Sequence, residues 1–549
     1  MPSKKNIKYT IGRSEFEPGT AEARKFVIPV TEIGGLDKHV ERGEDPAIVG
    51  SNMLTGEYPI AFGVDGPIPL SPRPCGALGV LLKGLLGTEE IPVRIGGIMR
   101  VRYTGAQASC LLVSGSDRTH GIQECGLAGK TETTATGLVA ATAYSFKVNV
   151  DGGGLVEYNI TTGTRLTYDA VMRLMNEALA NVGAYFHLVG GDLRCTSQAM
   201  GVSSTIVLAA GVTNPDLFAA LTGWIAFDAA VDGIAGVAIA LSSSIGAKGA
   251  EAPDANFGVA GSYDLTLAAN DTFGELVALI NTDTDYEAEI LFGAAAQDTQ
   301  QIITFVSQQG AARWVYMLFV GNTSTGFAHV FTPDLTDTER PSYSIQKDGF
   351  QDNFLYSGCA IDGMSFNAAK KAMADGSVDI LGLTEGTGTG ASGLTLEDVD
   401  PLIYGKGSFM FGGIDYDYLR KITVVVHNNS DPEGYGIASL YRAYVAKGFF
   451  GVDGDFSIRL DANTYAERTK TFDGTVVGMS FLFQGKAIET NVPEIMIVEL
   501  PYCALSLFEF EENDPVIDAH MGYKVLNPKG TNYNDPVRMI IVTTDGQAY

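Results

Sequence analysis

The middle of the chain repeats itself at a constant offset of 105 residues, and this constrains the fold more than any other feature. Tyr158, Ile160 and Thr161 return as Tyr263, Leu265 and Thr266. Thr167, Tyr168, Val171, Met172, Leu174, Met175 and Asn176 return as Thr272, Phe273, Leu276, Val277, Leu279, Ile280 and Asn281 without a gap. Each copy reads as a strand, a turn, a Thr or Asp at a helix N-cap, a helix with apolar residues at helical spacing, an Asn, and further strands. Two copies are too few for a solenoid. The expectation is two small α+β modules side by side, near 141–224 and 245–325.

The flanking segments carry a different period. Lys421–His427, Gly454–Leu460, Val476–Leu482, Glu494–Leu500 and Arg538–Thr543 alternate apolar and polar residues, as strands with one buried face do. Pro92–Tyr103 also reads as a strand. Near the start, Cys75–Leu86 follows Pro72 and Pro74 and is closed by Gly87, which predicts a helix. Ser342–Leu383 reads as strands, except that Phe366–Ala374 (FNAAKKAMA) predicts a helix, and Glu385–Gly393 predicts a flexible loop. The predicted fold is mainly β with α+β insertions. A β-sandwich or barrel with one packed helix is made of residues 1–140 and 326–549. It is interrupted by a module at 141–224 and by a second, with its linker, at 225–325.

The balance of 64 acidic against 37 basic residues gives a net charge of −27 over 549 residues. Such a surface repels phosphate, because tight nucleic-acid binding needs Lys and Arg to displace condensed counterions. A salt-loving protein would carry more than 18% charged residues. The other setting for this charge is a passage that DNA traverses without sticking. Six dispersed cysteines form no CxxC pair, which predicts reduced, buried thiols and neither a zinc site nor a disulfide framework. The opening MPSKKNIKYTIG has no apolar h-region, and Leu217–Leu241 is too interrupted to span a membrane, so a soluble protein is expected.

Catalytic and ligand motifs fail on their context. Gly388, Gly390 and Gly393 spell GxGxxG but lie in a Gly/Thr stretch with Pro401 close behind, where a nucleotide fingerprint needs a strand before it and a helix after it. Gly126–Thr131 (GLAGKT) ends like a phosphate loop, yet Glu124 occupies the place of the first glycine and would repel the phosphates. His39, His120, His187, His329, His427 and His520 show no metal-ligand spacing. Asp453–Asp455 and Asp461–Asn463 look like calcium loops, but the glycine and glutamate that complete an EF-hand are missing, so a solvated turn is expected. There is no GxSxG elbow. No catalytic, cofactor-binding or metal residue is assigned, no cofactor is expected, and the chain is read as a non-enzyme.

Several blocks resemble the tail tube proteins of long-tailed bacteriophages. One runs from Gly56 to Gly87 and ends in IPLSPRPCGALGVLLKGLLG, similar to the family's strand and loop leading into its single helix. A second, Pro341–Gly382, resembles a strand, an SGC-like turn (Ser357, Gly358, Cys359) and two strands. The predicted helix at Phe366–Ala374 departs from it, since the family has a hairpin there. A third, Leu419–Met479, is similar to the loop-bearing part of the barrel. The middle modules resemble insertions of phage tail sheaths and flagellin-type surface proteins.

The resemblance implies a virion structural protein assembled in the host cytoplasm and resident in the virion tail. Its partners would be itself, as hexameric rings stacked into a hollow tube, and other tail proteins. Genome DNA would pass through the lumen without specific binding, and the modules could reach host-surface glycans. The other readings are a sheath, spike or baseplate component, a glycan-binding adhesin, and a depolymerase enzyme.

Overall fold

A computed structural model describes the chain except residues 1–6, 33, 45–56, 108, 237, 248–249, 310–312, 337–339, 350–352, 391–392, 417, 438, 514–515 and 528–534. Gly56, and Ala391 and Ser392 of the Gly/Thr-rich stretch, lie outside the described residues. The fold is mainly β, built of antiparallel sheets, and no closed barrel occurs among the described residues. Its helices are α1 (Gly76–Leu86), α2 (Tyr168–Ala178), the single turn α3 (Leu217–Ala220), α4 (Phe273–Ile280) and α5 (Ala462–Asp473).

Helix α1 is the helix predicted between Pro74 and Gly87. Every residue on it except Lys83 is buried, so it is apolar all round, as a helix enclosed by sheets must be. Its glycines are docking notches. A Cβ on Gly79 would stand 2.0 Å from the ring of Tyr549, and one on Gly84 would stand 2.6 Å from Ile361 and Tyr343. Gly87 closes the helix at φ +95°, a conformation open to glycine.

Two sheets sandwich this helix. One is ordered Arg24–Ile28, Lys8–Ser14, Tyr343–Asp348, Phe354–Ala369 and Thr384–Thr387. The longer one runs Asp37–Glu44, Glu57–Leu70, Asp375–Gly382, Phe354–Ala369, Leu419–His427, Gly451–Arg459, Val516–Val525 and Val492–Asn513, and the first half of this last strand pairs onward with Val476–Glu489 and Arg538–Thr543. Strand Phe354–Ala369 belongs to both, its first half in one sheet and its second half in the other. Gly358 sits in this strand with φ +67°, and Glu15 accepts hydrogen bonds there from the Gly358 N–H at 3.0 Å and from Ser342 and Ser344.

The predicted helix at Phe366–Ala374 is a hairpin instead. Phe366 pairs with Gly376 on one side and with Val424 on the other. Met364, Phe366 and Ala368 are buried at every second position, and Lys371 turns the chain at φ +64°. Two flanking strands and a buried alternate face outweigh the helix propensity of NAAKKAMA. Part of the Glu385–Gly393 loop is also strand, since Thr384–Thr387 pairs with Phe354–Ser357.

The middle of the chain forms two further cores. One gathers Cys125, Leu127 and Leu138 with Tyr144–Phe218, including the α2 residues Tyr168, Val171, Met172 and Met175. The other joins Met99–Leu112 to Ile239–Phe319, including the α4 residues Phe273, Leu276 and Ile280. Strands Val93–Tyr103 and Ser109–Ser116 supply pairing partners for Tyr286–Phe292, Val315–Val320 and Ile239–Ala247. The first core is therefore held within the chain span of the second. The repeat is visible at the N-caps: Thr167 precedes α2, and Thr272 precedes α4, where its hydroxyl accepts from the Glu275 N–H.

Candidate functional surface

The long sheet is two-faced. Toward α1 it presents Val378, Ile380, Met364, Phe366, Ile422, Val424, Val426, Phe456, Ile458, Ala519, Met521 and Tyr523, all buried. Because side chains alternate along each strand and antiparallel partners share a face, the register assigns the opposite side residue by residue. Asp375, Ser377 and Asp379 pair with Asn367, Ser365 and Gly363. Thr423 and Val425 pair with Asp455 and Asp453, which pair in turn with Gly522 and Lys524. His520 pairs with Glu509, and Asp518 with Glu511.

That outer face is small, polar and acidic. Carboxylates of Asp375, Asp379, Asp453, Asp455, Glu509 and Glu511 outnumber the cations Lys421, Arg459 and Lys524. Part of the charge is internally matched: Lys421 lies 3.3 Å from Asp455, and His427 lies 3.8 Å from Asp453. The Ser457 hydroxyl donates to Glu511 at 3.2 Å. Burial, with the nearby Asp362 charge second, raises the Asp379 carboxyl above the ordinary range. A phosphate approaching this face meets net negative charge and few donors that could hold it.

The residues weighed as chemical candidates go elsewhere. Asp453 and Asp455 are strand residues of this face, not a turn. Asp461 is the N-cap of α5, accepting the Thr464 N–H at 2.8 Å. Gly126–Thr131 is a turn, with Ala128 and Gly129 at positive φ. His329 is fully buried, bonded to Glu89 at 2.9 Å and to the Asp545 carbonyl at 2.7 Å, and its ring lies 4.6 Å from that of Tyr549. His120 bonds the Ala199 carbonyl, His187 stacks on Tyr185, and His39 lies 3.3 Å from Asp65. Among the described residues no group of His, Cys, Asp and Glu converges as a metal site, and no helix is long and apolar enough to cross a membrane. All the cysteines are buried and unpaired.

A cleft of about 720 Å³ lies between the first middle core and the N-terminal strands. Several of its charges are paired, Arg165 with Glu17 and Lys25 with Glu177, and the Arg173 guanidinium lies over the Phe16 ring. It is a joint between packed units.

Sequence reasoning missed α5 and the hairpin at Phe366–Ala374. For α5 the signals were Asp461 three residues before Thr464 and Gly474 after Asp473, a cap pair around a segment without an inward apolar stripe.

No curated protein matches the chain. A family model described as phage tail tube protein matches residues 280–519, from the end of α4 to strand Val516–Val525. The match includes Ser357, Gly358 and Cys359, which lie within strand Phe354–Ala369 and do not form the expected turn, together with the hairpin and most of the acidic sheet face. Residues 280–519 are thus those of a phage tail tube protein, and the chain is a structural protein of the phage tail.

Proposed function

We propose that the chain closes into hexameric rings that stack into a hollow tube, and that the acidic outer face of the long sheet lines the bore through which the genome passes. The observation that carries this is the two-sidedness of the sheet. One face is buried in the core that contains α1, and the other combines small neutral side chains with an excess of carboxylates, which lets DNA slide without releasing counterions to a basic wall. Self-association and contact with other tail proteins follow from the family; assembly in the host cytoplasm belongs to this reading too.

The two middle cores are read as inserted modules on the tube exterior, where they could contact host-surface glycans. The first has a clean exit, because Ile122 bridges Val231 and Arg118 donates to the Ala235 carbonyl at 2.5 Å. An insertion with adjoining ends can be removed without stretching the host domain.

The test is imaging of the purified chain at high concentration, followed by a structure of whatever assembles. Rings whose bore is formed by Asp375, Asp379, Asp453 and Asp455 are expected. A basic bore, or a chain monomeric at every concentration and absent from virions, overturns the reading. Replacing residues 119–234 with a short Gly/Ser linker should leave ring formation intact.

A further inference from the structure

Two places along the long sheet are built inside out. In one, α5 turns Thr464 and Glu467 inward, buried, while Tyr465 and Phe472 face solvent, the latter 75% exposed. Glu467 is held by Lys470 at 2.7 Å. Beside the helix, Phe510 stacks on Tyr465, and Ile517 is exposed as well. A helix folded only for its own chain places its apolar residues inward.

The other is the long connection between strands Leu419–His427 and Gly451–Arg459. It folds across the strand Glu57–Leu70, where the Phe62 N–H donates to the Leu440 carbonyl at 2.7 Å. Here too polar groups are inside. Arg442 is buried and donates to the Gly382 carbonyl at 3.0 Å, and Asn428 is buried and donates to the Leu85 and Ile361 carbonyls. Ile437 is fully exposed and Phe449 is 91% exposed, with Tyr444 nearby. The segment is pre-ordered by backbone bonds from Asp431 to Ala446 and from Ala443 to Gly434.

We propose that these two patches bind each other between copies of the chain: the Ile437–Phe449 connection of one copy seats on the α5 face of the next. Three observations select a second copy as the occupant. Each copy carries a charge of −27, so copies repel except where a contact is locally neutral, and residues 428–450 balance Asp431 and Glu433 with Arg442 and Lys447. Both patches are apolar, so each hides what the other exposes. They are also two different surfaces of the chain, so the contact is head to tail, which propagates into a ring and does not stop at a pair. The inference rests on the tube reading and names its lateral junction.

The experiment uses the full chain. Because the native cysteines are all buried, Ile437→Cys and Phe472→Cys supply the accessible thiols. Mixing the two variants under mild oxidation should trap a mixed disulfide dimer well above either like-with-like dimer. Phe449→Glu and Phe472→Glu should each abolish rings, and an equimolar mixture of the two should stop at dimers, since one junction remains intact. Absence of the mixed dimer, predominance of like-with-like dimers, or rings from both Glu variants would overturn the proposal. A trapped mixed junction that images as open chains or closed pairs supports the contact and removes the ring reading instead.

Discussion

Asn176 grips Phe186 from both sides of its peptide. The side-chain amide donates to the Phe186 carbonyl at 2.9 Å, and the side-chain oxygen accepts the Phe186 N–H at 2.7 Å. Asn281, at the equivalent position of the repeat, grips Ala288 in the same way at 3.0 and 2.8 Å. The repeated Asn is therefore a brace between helix and following strand. Asn176→Leu should cost about 1–3 kcal/mol, the penalty for leaving backbone groups of a packed strand unpaired. Chemical denaturation reads the loss, and hydrogen exchange should locate it in strand Ala184–Val189.

A second prediction concerns Glu499, buried between Arg313 at 3.0 Å and Arg538 at 2.8 Å. Arg313 is itself buried beside Trp314. Glu499→Ala should destabilise the chain by about 3–5 kcal/mol, because it leaves a guanidinium in a dry interior without its counter-charge. Arg538→Ala, at the more exposed partner, should cost less. Equilibrium unfolding of both variants gives the order.

Gly79→Ala tests the notch on α1. The added methyl would meet the Tyr549 ring, so helix propensity gained by alanine is outweighed by overpacking of about 1–3 kcal/mol. The expected outcome is a lower melting temperature, partly restored by Tyr549→Leu.

Glu494 gives the pH prediction. Burial, with the Asp400 charge also raising it, pushes its carboxyl up to about 7. Between the ordinary glutamate range and that value the folded chain holds a proton that the unfolded chain has lost. Its contribution to stability therefore declines as pH rises from about 4.5 to 7 and stays low above that. Glu494→Gln should flatten that decline and be relatively more stable at pH 8 than at pH 5, as measured by urea denaturation at each pH.

Strand alternation in KITVVVH and the Pro–Gly punctuation of CGALGVLLKGLL were legible because a local pattern and the tertiary environment ask for the same thing. The second half of Phe354–Ala369 was not, because its helical composition is overruled by two neighbouring strands far away in sequence. Helix α5 escaped notice for the opposite reason: Tyr465 and Phe472 point outward, so no inward stripe marks it. The acidic face was present in the sequence as scattered Asp and Glu residues. Only register brings Asp379, Asp453 and Glu509 onto one side of one sheet.

Strand Phe354–Ala369 has a mechanical meaning beyond its place in the topology. Its backbone is the common rail of both sheets, so the two cannot slide past one another as separate bodies. Strain entering at Thr384–Thr387 on one sheet is delivered along a continuous peptide to Leu419–His427 on the other. A tail component built this way yields as one body, and a load applied to either wall of the sandwich is shared by both.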